Sequence, residues 1–374
     1  MRVLVAPDKF KGTLTAPAAA SAIARGWSAA EPAAQIEQVP LADGGEGTLD
    51  ALLAARGGER RTASVTGPLG ERVEAEFGLI PVPGGPLGVV EMARASGLQL
   101  VPPDHRDPKV TTSRGTGELV LAALESGARR ILVCVGGSAT NDGGAGLAQA
   151  LGVRLRDAGD REVAPGGAAL ASLDRVDLSV VAPAVRGVPV DVAVDVDNPM
   201  VGPSGASAVY GPQKGASPAD AELLDGALRR FAEVVWRETG VDIATRSGMG
   251  AAGGLPASLV AFFGATLRSG LELVMQAAGL PERMRGAAVA VTGEGTFDAQ
   301  SLRGKVVGGV VAAARAAGVP RVMVLCGAAA APPPEGVALL SLAERFGAEG
   351  AIRRAEPLLE RLAAEAGGWP RGSP

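Results

Sequence analysis

The chain is short of the side chains on which much enzyme chemistry depends. Of 374 residues, one is histidine, two are cysteine and 3% are aromatic. The single histidine, His105, lies in Pro102-Pro103-Asp104-His105-Arg106-Asp107, which reads as a loop. Histidine-dependent nucleophilic triads and His-rich zinc sites are therefore not expected. Catalysis falls to carboxylates, lysines and arginines, a profile suited to phosphoryl transfer, where positioning and charge neutralisation dominate. Cys134 and Cys326 each sit in an apolar run, ILVCV and VMVLC. Such cysteines read as small buried thiols and not as a disulfide framework, so a reducing, cytoplasmic location is expected. The first residues, Arg2 to Ala6, read as a strand with no signal-peptide pattern. No basic stripe exists: 36 basic and 40 acidic residues are mixed along the chain for a net charge of −4. Nucleic acid is not an expected partner. Nor is a membrane. The uncharged stretch Ser247 to Leu267 holds Gly248, Gly250, Gly253, Gly254 and Pro256, so it reads as a glycine loop before a short buried helix.

What is abundant is glycine, 54 residues, within a composition that is 47% hydrophobic and 20% charged. The length suits two domains. Arg2–Pro7 reads as a strand and Ala16–Ala30 as a helix capped by Thr15. Gln38–Leu41 reads as a strand and Gly47–Ala55 as a helix. Near the other end, Ala287–Thr292, Arg321–Leu325 and Val337–Leu342 read as strands, and Val306–Ala317 and Arg353–Glu365 as helices. Such alternation implies parallel βαβ units. Between these halves, Thr62–Glu91 reads as several short strands. Thr116–Gly127, Ala145–Leu151 and Ala219–Glu238 read as helices, and Ile131–Val135 and Val188–Val194 as strands. The expected fold is α/β: a three-layer, parallel-sheet, Rossmann-like domain of residues 1–70 and 285–374, with a second α/β domain, 71–284, inserted and the active site in the cleft between them.

Five polar, glycine-bearing clusters follow expected strands, and ligands of open α/β sheets bind outside the carboxyl ends of strands. The first is Ala6-Pro7-Asp8-Lys9-Phe10-Lys11-Gly12-Thr13, a carboxylate and a lysine three residues apart, Asp8 and Lys11, at a strand exit; an ordinary helix approach would read the same way. The second, Leu41-Ala42-Asp43-Gly44-Gly45-Glu46-Gly47-Thr48, pairs carboxylates with glycines that let backbone approach a ligand; a tight surface turn would read the same way. The third, Gly136-Gly137-Ser138-Ala139-Thr140-Asn141-Asp142-Gly143-Gly144, has the glycines and small polar groups of an anion nest. The fourth, Asp195-Val196-Asp197-Asn198-Pro199, carries alternate carboxylates suited to a hard cation, with Lys214 on a glycine loop downstream. The fifth, Thr292-Gly293-Glu294-Gly295-Thr296-Phe297-Asp298, ends at Gly304-Lys305 and resembles a phosphate and Mg²⁺ station. It is not a Walker loop, because Ala299 takes the glycine position and Val306 the hydroxyl position. Gly248-Met249-Gly250-Ala251-Ala252-Gly253 matches the dinucleotide pattern, but no convincing strand precedes it and Glu272 falls in a helix pattern.

Together the clusters resemble the type 1 glycerate kinase family. The matching segments are APDKFKGTL (6–14), PLADGGEGT (40–48), VVEMARASGLQLVP (89–102), TTSRGTGEL (111–119), VGGSATNDGGAG (135–146), DVDNPMVGPSGASAVYGPQKGA (195–216), GMGAAGGLPASLVAFFGATLRSGLELV (248–274) and TGEGTFDAQSLRGK (292–305). The resemblance implies D-glycerate as substrate, ATP as donor, Mg²⁺ as cofactor and 2-phosphoglycerate in preference to 3-phosphoglycerate as product. It leaves the oligomeric state, a homodimer included, open.

The expected mechanism is in-line transfer. Asp195, or else Asp8 or Asp43, accepts the substrate hydroxyl proton, and Lys11, Lys214 or Lys305 neutralises the transferred phosphoryl group. Gly293, Glu294 and Gly295 contact the nucleotide; Asp298, Glu294 and Asp195 are the expected metal ligands. Ser113, Arg114, Gly137, Ser138, Thr140, Asn141, Asp142 and Asn198 bind the substrate, Arg114 through a bidentate carboxylate contact. Two rival readings are a nicotinamide-dependent hydroxy-acid dehydrogenase built on Gly248–Gly253 and a non-catalytic two-lobed protein binding a small acid.

Overall fold

The computed structural model describes residues 1–302 and 304–368. Arg303, within the TGEGTFDAQSLRGK motif, lies outside the described residues. The chain forms two compact units: Met1–Gly57 with Ser269–Pro374, and Gly58–Arg268. The divisions fall at 57/58 and 268/269, ahead of the crossovers expected near residues 70 and 285.

In the first unit the sheet is wholly parallel. Its strands run in the spatial order Val337–Ser341, Arg321–Ala329, Val289–Phe297, Arg2–Val5 and Gln35–Gln38. Side chains alternate across it. Val3, Val5, Val289, Val291, Met323 and Leu325 share one apolar cluster with Ile23 and Trp27 of the helix Ala16–Ala30 and Leu359 and Leu362 of the helix Ala355–Gly367. Thr15 caps the former helix through its side chain. The two helices meet at Gly26, where a Cβ would lie 1.9 Å from the Glu360 carbonyl oxygen; only glycine admits this approach. The chain leaves Arg2–Val5 toward Gln35–Gln38 on one side, while Val289–Phe297 and its successors lie on the other. The strand order therefore reverses between Arg2–Val5 and Val289–Phe297, which makes a topological switch point at their carboxyl ends.

The second strand was expected at Gln38–Leu41 and stands at Gln35–Gln38. Its QIEQ sequence is polar because it is a half-exposed edge strand, so burial left no apolar signature there.

The second unit has a six-stranded mixed sheet, ordered Thr266–Arg268, Val190–Ala193, Arg130–Cys134, Leu87–Glu91, Arg72–Ile80 and Glu59–Thr66. The first four are parallel and the last two antiparallel. Phe77, Val90, Ile131, Val133 and Val192 share its core with Leu119, Leu147, Leu228 and Phe231 from helices. A hairpin-like pair, Arg154–Asp157 and Leu173–Asp177, stands apart from this sheet. It is short and charge-rich, with Leu155, Leu173 and Val176 as its buried members. The helix Pro218–Thr239 begins with a capping box between Ser217 and Asp220. No helix among the described residues is long and apolar enough to cross a membrane; Ser247 to Leu267 holds only the nine-residue helix Leu255–Phe263 and a short strand.

Candidate active site

The switch point of the first unit gathers three of the sequence clusters. The chain leaving Arg2–Val5 stays paired with its neighbour: the Ala6 amide donates to the Val291 carbonyl at 2.7 Å and the Asp8 amide to Gly293 at 2.8 Å. Thr292 Oγ1 ties back to the Ala6 carbonyl at 2.8 Å. On the other flank, Leu41 donates its amide to the Pro7 carbonyl at 3.0 Å. Asp8, Asp43 and Glu294 are thus carried to one end of one sheet. Glycines permit this crowding. A Cβ on Gly293 would lie 2.0 Å from the Leu325 carbonyl oxygen, and one on Gly295 would lie 2.9 Å from the Lys11 amide nitrogen.

The electrostatics follow from that packing. The Asp8 carboxyl is pushed up to about 7, first by burial, then by the charge of Asp43 and, more weakly, of Glu294. The Lys9 amide, which donates to Asp8 Oδ1 at 2.7 Å, and the Lys9 charge oppose the rise. Glu294 is 8% exposed and is also raised, chiefly by burial. Its Oε1 is buried without a hydrogen-bond partner. Asp298 is held below the ordinary carboxylate value by the amides of Gln300 and Ser301, which cap its Oδ1 at 2.8 and 3.0 Å. Lys305 acts electrostatically on both acids. Lys11 is exposed, whereas Lys9 reaches back to the Glu46 carbonyl at 2.8 Å and so ties the first cluster to the second. The sequence reading passed over Lys9, although it stands beside Asp8 in the same motif.

In the second unit, the loop Gly136–Gly144 follows the buried strand Arg130–Cys134, and Asp195–Pro199 follows the neighbouring strand Val190–Ala193 at the same end of the sheet. Asp142 is wholly enclosed. Its Oδ2 accepts from the amide and hydroxyl of Ser113, both at 2.8 Å, and from the Gly146 amide at 3.3 Å; its Oδ1 accepts from the Gly144 amide at 3.1 Å. Burial raises this carboxyl and those donors lower it. Asp142 and Ser113 are thus used inside the loop to fix its path. Asn141 Nδ2 donates to Ser207 Oγ at 2.9 Å, leaving its Oδ1 buried and unpartnered, as is Thr140 Oγ1. Gly137 stands exposed at the loop tip with φ +62°.

The other residues spread more widely. Asn198 is engaged at both ends of its amide: Tyr210 Oη donates to its Oδ1 at 2.7 Å, and its Nδ2 donates to the Ser204 carbonyl at 2.7 Å. Asp195 and Asp197 are exposed, and Ser247 donates to Asp197. Arg114 turns to Glu118, 3.1 Å away, and lines a depression of about 590 Å³ with Gln149, Arg154 and Glu162, to which no residue of 136–144 contributes. Asp195 belongs to the second unit, and Asp298 and Glu294 to the first. Among the described residues, no group of three or more acidic, histidine or cysteine side chains forms a metal cage.

The glycine pattern of residues 248–253 has a packing explanation. A Cβ on Gly250 would lie 2.2 Å from the Pro199 carbonyl oxygen, and one on Gly253 would lie 2.0 Å from that of Thr140. The Gly143 amide closes the contact by donating to the Gly253 carbonyl at 3.0 Å. No strand lies between residues 240 and 250. The strand–glycine–helix context of a dinucleotide site is absent from this segment.

A parallel sheet whose switch point carries Asp8, Asp43 and Glu294 among glycine turns is a ligand site of the open α/β class. The Glycerate kinase family profile matches residues 3–369. Glycerate 2-kinase of Escherichia coli K12 is 50% identical over 84% of this chain and 82% of its own length. A glycerate kinase of Bacillus subtilis 168 is 47% identical over 86% of this chain and 83% of its own. A crystal structure of a glycerate kinase 2 from Salmonella typhimurium LT2 superposes with a TM-score of 0.89 at 43% identity, covering 98% of this chain and 97% of that one. The chain belongs to the glycerate kinase family, and it is a kinase.

Proposed function

We propose that the protein transfers the γ-phosphoryl group of ATP to D-glycerate and forms 2-phosphoglycerate, with Asp8 as the general base. The observation that carries this reading is the Asp8 carboxyl at the switch point, pushed up to about 7 by burial and by Asp43. A base serves best when its pKa lies near the working pH, and this one combines that value with a glycine-lined strand exit. Asp195, the first choice from sequence, is exposed.

The remaining roles follow from the groups present. Asp8 takes the hydroxyl proton of the acceptor as the oxygen attacks. Lys9 and Lys305 offset negative charge beside Asp8 and Glu294. The orphaned Oε1 of Glu294, with Asp298 nearby in charge, suits a Mg²⁺ ion that takes one or two carboxylates from protein and the rest from nucleotide and water. That ion would supply charge neutralisation on the phosphate oxygens. The 136–144 loop, through Ser138 and its backbone, suits the glycerate carboxylate. The 2-position of the product follows the Escherichia coli relative, a glycerate 2-kinase. The test is coupled ADP release: it should require D-glycerate, ATP and Mg²⁺ together. Turnover that persists without glycerate would remove the proposal.

A further inference from the structure

Lys214 looked from sequence like a phosphate contact, but its side chain is enclosed. The residue is 1% exposed and ranks among the largest fully buried side chains. Its backbone is fixed on both sides. The Lys214 amide donates to Gly211 at 2.9 Å, and Gly215, at φ +96°, passes so near Arg106 that a Cβ would lie 2.2 Å from that carbonyl oxygen. From this anchor Nζ reaches two acceptors in the 136–144 loop: Ser138 Oγ at 2.7 Å and the Thr140 carbonyl at 2.6 Å. The one carboxylate that acts on it is Asp142, already filled by Ser113, Gly144 and Gly146.

The consequence is directional. A serine hydroxyl carries one donor and two acceptor positions and rotates to suit its neighbours. A lysine ammonium beside it has three N–H donors and no acceptor, so with Lys214 charged the Ser138 Oγ accepts from it. Its own proton is then free to point toward an anion. We propose that Lys214 is a positioning residue that acts through Ser138, converting the loop into a donor surface for the substrate carboxylate. The inference rests on the reading that this loop binds the carboxylate of glycerate.

The experiment is a double-mutant cycle on the full chain, with glycerate and ATP kinetics measured separately. Lys214→Met keeps length and removes the donors; Ser138→Ala removes the hydroxyl. Each single variant should raise the KM for D-glycerate about tenfold, with the KM for ATP within twofold and kcat changed far less. The double variant should be no worse than Ser138→Ala alone, because both changes interrupt one path. A purely structural lysine would lower active fraction or kcat without this KM split. Multiplying effects in the double variant, or a rise in the ATP KM alone, would overturn the proposal. If Lys214→Met does not fold, Lys214→Gln, which retains one N–H donor group, enters the same cycle and should show a smaller glycerate effect that again vanishes in the Ser138→Ala background. A wild-type chain without glycerate-dependent ADP release would instead sink the functional reading, whereas an active wild type with an additive cycle sinks only the role of Lys214.

Discussion

Replacing Asp8 by asparagine should slow catalysis severely and stabilise the protein, and the stabilisation should depend on pH in a definite way. The carboxyl stands at about 7 in the folded chain against an ordinary value of 3.8. Between those two values the folded state holds a proton that the unfolded state has released. Stability of the wild type therefore falls as pH rises across that interval, and the loss is complete above pH 7. The difference of about 3 pH units corresponds to about 4 kcal/mol as an upper bound. Partial exposure and relaxation reduce it, and a gain of about 1–3 kcal/mol for Asp8→Asn at pH 8 is the working figure. Asparagine keeps an acceptor for the Lys9 amide, which now bonds Asp8 Oδ1 at 2.7 Å, so geometry is largely preserved. Thermal unfolding followed by circular dichroism should show the variant melting several degrees above wild type at pH 8, with the gap shrinking steadily toward pH 4. Turnover should fall by about 10²–10⁴ through loss of the base. A variant that keeps its turnover, or a stability gap of equal size at pH 4 and pH 8, would refute the reasoning.

Three other outcomes follow from the same geometry. Asp43→Asn removes a charge that raises the Asp8 carboxyl, so the acidic limb of the kcat/KM profile, near pH 7 in wild type, should move to lower pH while the plateau persists. Glu294→Gln should raise the Mg²⁺ concentration for half-maximal rate about tenfold, read by titrating the metal at fixed ATP, because the orphaned Oε1 is the group placed to meet a cation. Gly253→Ala forces a Cβ to within 2.0 Å of the Thr140 carbonyl oxygen at φ +72°, and should destabilise the chain by about 2–4 kcal/mol in urea unfolding. It should do so in a protein that shows no NADH absorbance change with glycerate.

Much of the fold could be read from the sequence because buried strands and amphipathic helices declare themselves by period. Ala16–Ala30, capped by Thr15, stands as expected, and Val306–Ala316 and Arg321–Ala329 differ from expectation only at their C-terminal ends. What escaped was polar or short: the half-exposed edge strand Gln35–Gln38, and the pair Arg154–Asp157 and Leu173–Asp177, in which charged residues outnumber the few buried apolar ones. At the site, motif content identified the acid-bearing turns but not which acid was perturbed. That depends on burial and on Asp43 lying near Asp8, a contact across 35 residues that no local pattern encodes. The same limit applies to Lys214. A lysine on a glycine loop reads as a phosphate contact or a solvated side chain, yet Gly215 turns the chain so that the amine enters the core. Asn198 likewise reads as a ligand group, but the amide is spent on Ser204 and Tyr210.

The most direct measurement is ³¹P NMR of a mixture of the protein, ATP, Mg²⁺ and D-glycerate. The account predicts stoichiometric ADP and a phosphomonoester resonance that coincides with that of added 2-phosphoglycerate. Inorganic phosphate alone, or an untouched ATP spectrum, would contradict it.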